Sequence, residues 1–421
     1  MISAVRDLNR LELAGESVRA AAEAVIAAAP GWFASAFDVA GWSARYGRRI
    51  GSWRLPTAET KHAQLAVDYG TDGFALLEAL YSAAAPQWLR QLPAVQVLRE
   101  VLLQNYLRTV DEHGKQVIRR RDAERDGIPP VPRRISSPYD LDARWAAKGD
   151  DLFWNGYKVH ISETCDGPPE PVAGDGTRRL ERPNIITNVA TTDATVPDAA
   201  VTASVHTMLA ERGLTPAEHF VDSGYPSAAL VVSSKAEHGI ELVAPLLADN
   251  SAQARAGTGF DRSAFTIDFD TQRAVCPQGR TSTTWNPVSQ KGTAALVVSF
   301  AVSDCRPCPV RSSCTNSKAA RRQVTVPPRE IHEVQQSARA SQKTEQWQAR
   351  YAVRAGVEGT IHQAVEVTGI RRARYRGLDK TRLDHVLSVT ALNLIRLDAY
   401  WNGHVLDRTR ASHLTRLGLA A

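Results

Sequence analysis

"HFVDSGYPSAALVVSSKAEHGIELVAPL", residues 219–246, decides the fold class. It opens with a short apolar strand that ends at Asp222, and Ser223-Gly224 then supplies a turn. "SAALVVSSKAEHG" reads as a helix, and "IELVAPL" (240–246) as another strand. Further out, "VPDAAVTASVHTMLAERG" (196–213) sets Val201, Val205, Met208 and Leu209 at amphipathic helical spacing, with Gly213 where a helix stops. Before it, "NIITNVATT" (184–192) and "NGYKVHISETCD" (155–166) read as strands. The second alternates Tyr157, Val159 and Ile161 against Lys158, His160 and Ser162. Strand, strand, helix, strand, helix, strand predicts an α/β fold, a mixed sheet with helices packed on it.

The flanking regions have a different texture. Residues 1–120 are rich in Ala, Leu, Val and Arg. "ESVRAAAEAVIAAA" (16–29) and "AVQVLREVLLQNYLRTV" (94–110) predict helices. "RDGIPPVPRRISSPYD" (125–140) reads as an irregular connection. Residues 257–327 hold short β-branched runs between turn residues, "AFTIDFDTQRAVC", "TSTTWNP", "AALVVSFAVSDC" and "RRQVTVP", and predict a mainly β insertion. From about 329 the chain turns helical, and "TRLDHVLSVTALNLIRLDAYW" (381–401) is a long helix that stops at Asn402-Gly403.

A chain of 421 residues is long for one core and implies two or three domains, or one with insertions. At 43% hydrophobic and 23% charged it has the composition of a soluble globular protein. It has no apolar run of membrane-spanning length and no signal-peptide order, so a cytoplasmic location is expected. Lys plus Arg number 51 against 45 Asp plus Glu, a basic excess that suits a polyanionic partner.

Four of the five cysteines sit in one short region: Cys276, then 28 residues, then Cys305-x2-Cys308-x5-Cys314. A Cys-x2-Cys turn presents two thiolates to one ion, and two more complete a tetrahedron, so a structural Zn²⁺ is expected there. Cys165 stands apart and reads as a small buried residue. In "RYAVRAGVEGTIHQ" (350–363), Tyr351, Arg354 and Glu358 are three and then four residues apart, which puts them on one helical face. On spacing alone Asp222 and Glu358 are unrelated acids, one closing a turn and one solvated.

A resemblance changes that reading. "HFVDSGY" with Tyr351-x2-Arg354-x3-Glu358 resembles the DDE transposases of bacterial insertion sequences, of the Y-x2-R-x3-E type. "DLDARW" (140–145), "NGYKVHISETCD", "ITNVATTDATVPD" (186–198) and "RRARYRGLDKT" (371–381) agree in the same order, so the likeness runs from about 138 to 400. It implies an RNase H-like mixed sheet with helices on both faces and two Mg²⁺ held between three carboxylates. Carried over by position, Asp222 is the second acid and Glu358 the last. Arg354 would hold a phosphate, and Tyr351 would pack or donate to the backbone. Relatives carry a Lys seven residues after the Glu, but here Val365 stands there. DNA contacts then fall to Arg371, Arg372, Arg374 and Arg376, with Lys158 a further candidate, while His362 reads as packing.

The implied activity is metal-dependent strand cleavage and strand transfer at terminal inverted repeats. The implied partners are double-stranded DNA, at the element's ends and at the target, and a second copy of the chain in a homodimeric synaptic complex. The implied organisation is a helical region 1–137 inserted between the first and second core strands, core segments 138–256 and 328–402 around the zinc-bearing insertion 257–327, and a basic tail 403–421. The first acid belongs just upstream of "SAVRDLNRLEL", and that stretch begins at Ser3. A truncated or mis-started transposase is therefore expected, with Asp7, Asp140, Asp142 and Asp166 as in-chain substitutes for the third acid. Two alternatives stay open: a catalytically dead DNA-binding remnant, and a zinc-stabilised interaction protein that binds no DNA. Mg²⁺-dependent nicking and salt-dependent DNA binding separate the three.

Overall fold

The computed structural model describes residues 1–165, 183–290 and 292–402. Asp166 and the expected tail 403–421 lie outside the described residues. Two compact units are present, one from the described residues of Met1–Ser162, Arg179–Val196 and Gly359–Ala421, the other from those of Glu163–Arg178 and Pro197–Glu358.

The first unit leads with helices Arg10–Ala28, Pro30–Ala36, Val39–Tyr46, Glu59–Tyr81 and Pro93–Asn105. Asn9 starts the first of these in a reciprocal capping box with Glu12. Val18, Ala21, Val25, Leu76, Leu80 and Leu98 bury together as its core. Gly15 is required there, because the Tyr69 ring lies 2.7 Å from where a Cβ would stand. Glu12 and Glu16 are buried and accept the backbone N–H groups of Ser52 and Ile50, each at 2.6 Å, which pins the following loop.

One helical expectation fails. In "AVQVLREVLLQNYLRTV" the helix stops at Asn105, and Tyr106–Val110 pairs antiparallel with Gln116–Arg120. Thr109, Val110, Val117 and Ile118 favour the pleat. The Asp111 side chain accepts the N–H groups of His113 and Lys115, and Gly114 takes φ 75°, which closes the hairpin.

The unit's sheet has Leu152–Glu163 at its centre. Ile2–Ala4 and Arg144–Lys148 pair with it antiparallel, and Ile186–Asp193 pairs with it as well. Gly156 stands where Ile2–Ala4 comes closest: the Ser3 carbonyl oxygen lies 2.4 Å from its Cβ position, and φ is 145°. Helix Leu378–Trp401 supplies Val389 and Leu392 to a core with Val159, Ile186, Val189 and Ala364. His160 is buried, so its strand face is not the solvent face that simple alternation allows.

In the second unit, strands Glu218–Phe220 and Glu241–Val243 are parallel neighbours joined through helix Ala228–His238. Ser227 caps that helix, and Gly239 ends it at φ 71°. Helix Asp198–Glu211 precedes them. The β-rich part follows: Thr266–Asp268 pairs with Arg273–Val275, and Thr284–Gln290, Thr293–Ser299 and Gln323–Val326 form a three-stranded sheet. Phe265, Val298, Phe300, Val324 and Val326 give it a core of its own. Helices Arg329–Ser341 and Glu345–Tyr351 complete the unit. The mixed α/β class is realised, but the strands expected in one sheet form a four-stranded sheet in one unit and a parallel pair in the other. Among the described residues no helix is long and apolar enough to cross a membrane.

Candidate functional site

Asp222 follows the short strand Glu218–Phe220, one residue past buried Val221. Its carboxylate is exposed, and Oδ1 accepts from Ser223 Oγ at 3.0 Å and from the Gly224 N–H at 3.3 Å. The strand end is held from behind by Tyr351, whose hydroxyl donates to the Val221 carbonyl at 3.0 Å. Trp347 stacks on the Tyr351 ring at 4.9 Å. Burial pushes the Tyr351 hydroxyl above its ordinary pKa, with Arg354 opposing and the Asp222 charge adding to the rise.

The helix expected through residues 350–363 is not continuous. Helix Glu345–Tyr351 passes through a tighter 3₁₀ turn, Ala352–Ala355, into helix Gly356–Thr368. The shared face survives the break. The Arg354 guanidinium lies 6.0 Å from the centre of the Tyr351 ring, and its Nη2 is 3.2 Å from Glu358 Oε1. Arg354 thus neutralises Glu358, while the Tyr351 hydroxyl is spent on the protein's own backbone. The boundary between the two units falls directly after Glu358.

Two supporting residues escaped the sequence reading. Arg350 pairs with Glu218 and Glu241, each at 2.6 Å, and so ties the two parallel strands together. Asp198 Oδ2 lies 3.3 Å from the Cβ position of Gly224, and with Asp222 it adds to the rise that burial imposes on the Tyr225 pKa. Its signal was its place at the start of helix Asp198–Glu211, inside "ITNVATTDATVPD".

The remaining candidates lie in the first unit. Lys158 Nζ donates to the Val196 carbonyl at 2.9 Å. Arg374 donates to the Thr368 carbonyl at 2.7 Å, and the Arg376 guanidinium lies 4.8 Å from the centre of the Tyr139 ring, so both have intramolecular roles. Arg371 and Arg372 are exposed. His362 is exposed and does not pack as expected. Among the substitutes for the third acid, Asp140 is buried and accepts from the Tyr157 hydroxyl at 2.6 Å, and Asp142 caps the Leu378 N–H at 2.8 Å. Both are structural in this setting, and Asp7 is exposed.

All four clustered cysteines line one cavity, with Phe260, Phe300 and Arg322 among its other walls. Cys276 Sγ accepts from the Arg280 N–H at 3.3 Å, and a Cys308 N–H to Cys305 carbonyl bond of 3.3 Å closes the second turn. Burial raises the Cys314 thiol pKa, Arg322 opposes, and the neighbouring thiols Cys305, Cys276 and Cys308 add to the rise. The four thiols converge, yet among the described residues no group of three or more His, Cys, Asp or Glu is arranged to hold a metal ion. Cys165 is exposed, not buried, because it follows the end of strand Leu152–Glu163.

Residues 275–398 match the family model of the transposase DDE domain, which supports a DDE transposase family. The matched segment contains Tyr351, Arg354, Glu358, the four clustered cysteines and Arg371 to Arg376, while Asp222 and Lys158 precede it. No curated protein and no solved structure matches the chain.

Proposed function

We propose that the protein is the DNA transposase of an insertion sequence, cutting and joining strands at the terminal inverted repeats of its own element. It would act in the cytoplasm as a homodimer that brings two DNA ends together. The observation that carries this reading is the run of contacts from the Val221 carbonyl, next to Asp222, through Tyr351 and Arg354 to Glu358, with Glu358 inside the matched transposase segment.

DDE transposases use a divalent metal such as Mg²⁺, and the donors here suit one. Both carboxylates are exposed and offer the hard oxygen ligands Mg²⁺ prefers. Glu358 gives up little on leaving Arg354, because an exposed i,i+4 pair is worth about 0.3–0.5 kcal/mol. Asp222 and Glu358 would hold the metal, which when bound supplies Lewis acidity toward the scissile phosphate and its attacking oxygen. Tyr351 fixes the strand end that presents Asp222, and Arg354, once released, offers its guanidinium to a phosphate. An RNase H-like core and a Zn²⁺ held by Cys276, Cys305, Cys308 and Cys314 belong to the same proposal.

A second reading, a DNA-binding remnant without catalysis, is favoured by one observation: among the described residues no third acid joins a metal-holding group. A nicking assay on DNA that flanks the gene, in Mg²⁺ and in EDTA, separates the two. Mg²⁺-dependent nicks support the transposase, and salt-dependent binding without nicks supports the remnant.

A further inference from the structure

Stretch 257–327 holds nine Lys and Arg against four Asp, so it accounts for five of the six net positive charges of the chain. Three of its acids are already engaged. Asp261 and Asp268 accept backbone N–H groups in tight turns, and Asp270 pairs with Arg329. From Arg306 to Pro327 there are five cations and no acid. One of them, Arg322, is turned inward, donating to the Cys314 carbonyl at 3.0 Å and the Phe260 carbonyl at 3.2 Å.

The other four, Arg306, Arg311, Lys318 and Arg321, are exposed, as is Arg280. Among the described residues none of these five takes part in an ion pair. The cysteine turns gather them. Arg280 and Arg311 line the same cavity as the four thiols, and Arg306 stands between Cys305 and Cys308. The Thr315 hydroxyl donates to the Arg321 carbonyl at 3.4 Å, which brings that backbone to the Cys314 turn. A solvated charge run is the ordinary fate of such residues. Here the cations belong to short hydrogen-bonded turns over a packed core, which fixes where their backbone stands.

We propose that this cysteine-turn face is a contact for the phosphate backbone of duplex DNA, working by charge and not by base readout. The inference rests on the reading of the chain as a DNA-acting protein, and it places a DNA contact away from Arg371 to Arg376. Each cation that neutralises a phosphate releases a condensed counterion, so the face should write itself into the salt dependence of binding.

The test uses the full chain and a fluorescently labelled duplex of arbitrary sequence, with binding measured against salt. In the variant Arg306→Gln/Arg311→Gln/Lys318→Gln/Arg321→Gln, the slope of log affinity against log salt should fall by about 3–4, since each lost contact removes about 0.9. Affinity at low salt should drop more than about tenfold in the same variant. Replacing the three arginines by Lys, which keeps the charge, should preserve the slope. If the quadruple variant does not fold, Arg306→Gln alone should lower the slope by about 1. An unchanged slope in a folded variant overturns the proposal, as does absence of salt-dependent duplex binding by the wild type, or tighter binding of a single-stranded RNA of equal length. Unchanged binding beside Mg²⁺-dependent nicking sinks this inference and leaves the transposase reading standing. A reduced slope without nicking does the reverse.

Discussion

Acidification from pH 7 to pH 5 should loosen the strand that presents Asp222. His219 lies on that strand, and its Nδ1 is 2.9 Å from Nε2 of His206 on helix Asp198–Glu211. His238, at the end of helix Ala228–His238, closes the cluster with its ring centre 5.9 Å from that of His206. His206 is fully buried, and its Nδ1 has no hydrogen-bond partner among the described residues. The bond between the rings needs one donor and one acceptor, so the pair cannot keep it with both rings charged. Burial, with the nearby imidazoles adding, lowers the pKa of His206 and of His219 to about 4, from 6.5.

A depressed folded-state pKa means that the unfolded chain takes up protons first. The stabilisation from neutral rings is present above about pH 6.5 and is lost as pH falls toward about 4. At pH 5 the loss is about 2 kcal/mol for one ring and at most about 4 for the pair, since the two titrations are coupled. Urea denaturation at the two pH values measures it. In His206→Gln, a ring that no longer titrates, the pH-dependent part should shrink by about half. Equal stability of the wild type at pH 7 and pH 5 would refute the reasoning, and so would an undiminished pH dependence in His206→Gln.

Three further outcomes follow from the same geometry. Tyr351→Phe removes the bond to the Val221 carbonyl, so it should cost about 1 kcal/mol in denaturant unfolding. It should also reduce any Mg²⁺-dependent nicking, and unchanged stability would remove Tyr351 as the anchor of Asp222. Purified under reducing conditions, the protein should carry one zinc per chain, and a chelator should shift the fluorescence of Trp285 in strand Thr284–Gln290; metal analysis that finds no zinc ends that account. Glu16→Ala strands the buried Ile50 N–H and takes one partner each from the Tyr139 hydroxyl and Arg19, which keep their bond to one another, so a loss of about 2–3 kcal/mol is expected on urea titration.

Local chemistry made much of this legible in the sequence. Asp222 stood out because an apolar run stops at a Ser-Gly turn, and the helix after it carries its cap and its terminal glycine in plain view at Ser227 and Gly239. The Cys-x2-Cys spacing pointed to a convergence that the cavity realises. What stayed hidden depends on partners distant in sequence. Nothing near Arg350 announces that Glu218 and Glu241 will meet it. The periodicity of "AVQVLREVLLQNYLRTV" cannot show that Tyr106 begins a strand, because the partner that decides this is Gln116–Arg120. Asp140 and Asp142 looked like free carboxylates until Tyr157 and Leu378 were seen to occupy them. Tyr351, Arg354 and Glu358 do lie near one another, but the spacing gives no sign that the Tyr351 hydroxyl meets the Val221 carbonyl, 130 residues earlier.

The claim at the centre is that Asp222 and Glu358 act on one divalent ion, whether or not the chain cuts DNA. Mn²⁺ binding followed by electron paramagnetic resonance reads this without depending on activity. Asp222→Asn and Glu358→Gln, each checked for an unchanged fold, should each weaken Mn²⁺ binding at least about tenfold, as loss of a charged oxygen ligand predicts. The double variant should bind little more weakly than either single one, because the two residues serve the same site. Mn²⁺ affinity equal to the wild type in both single variants would contradict the account.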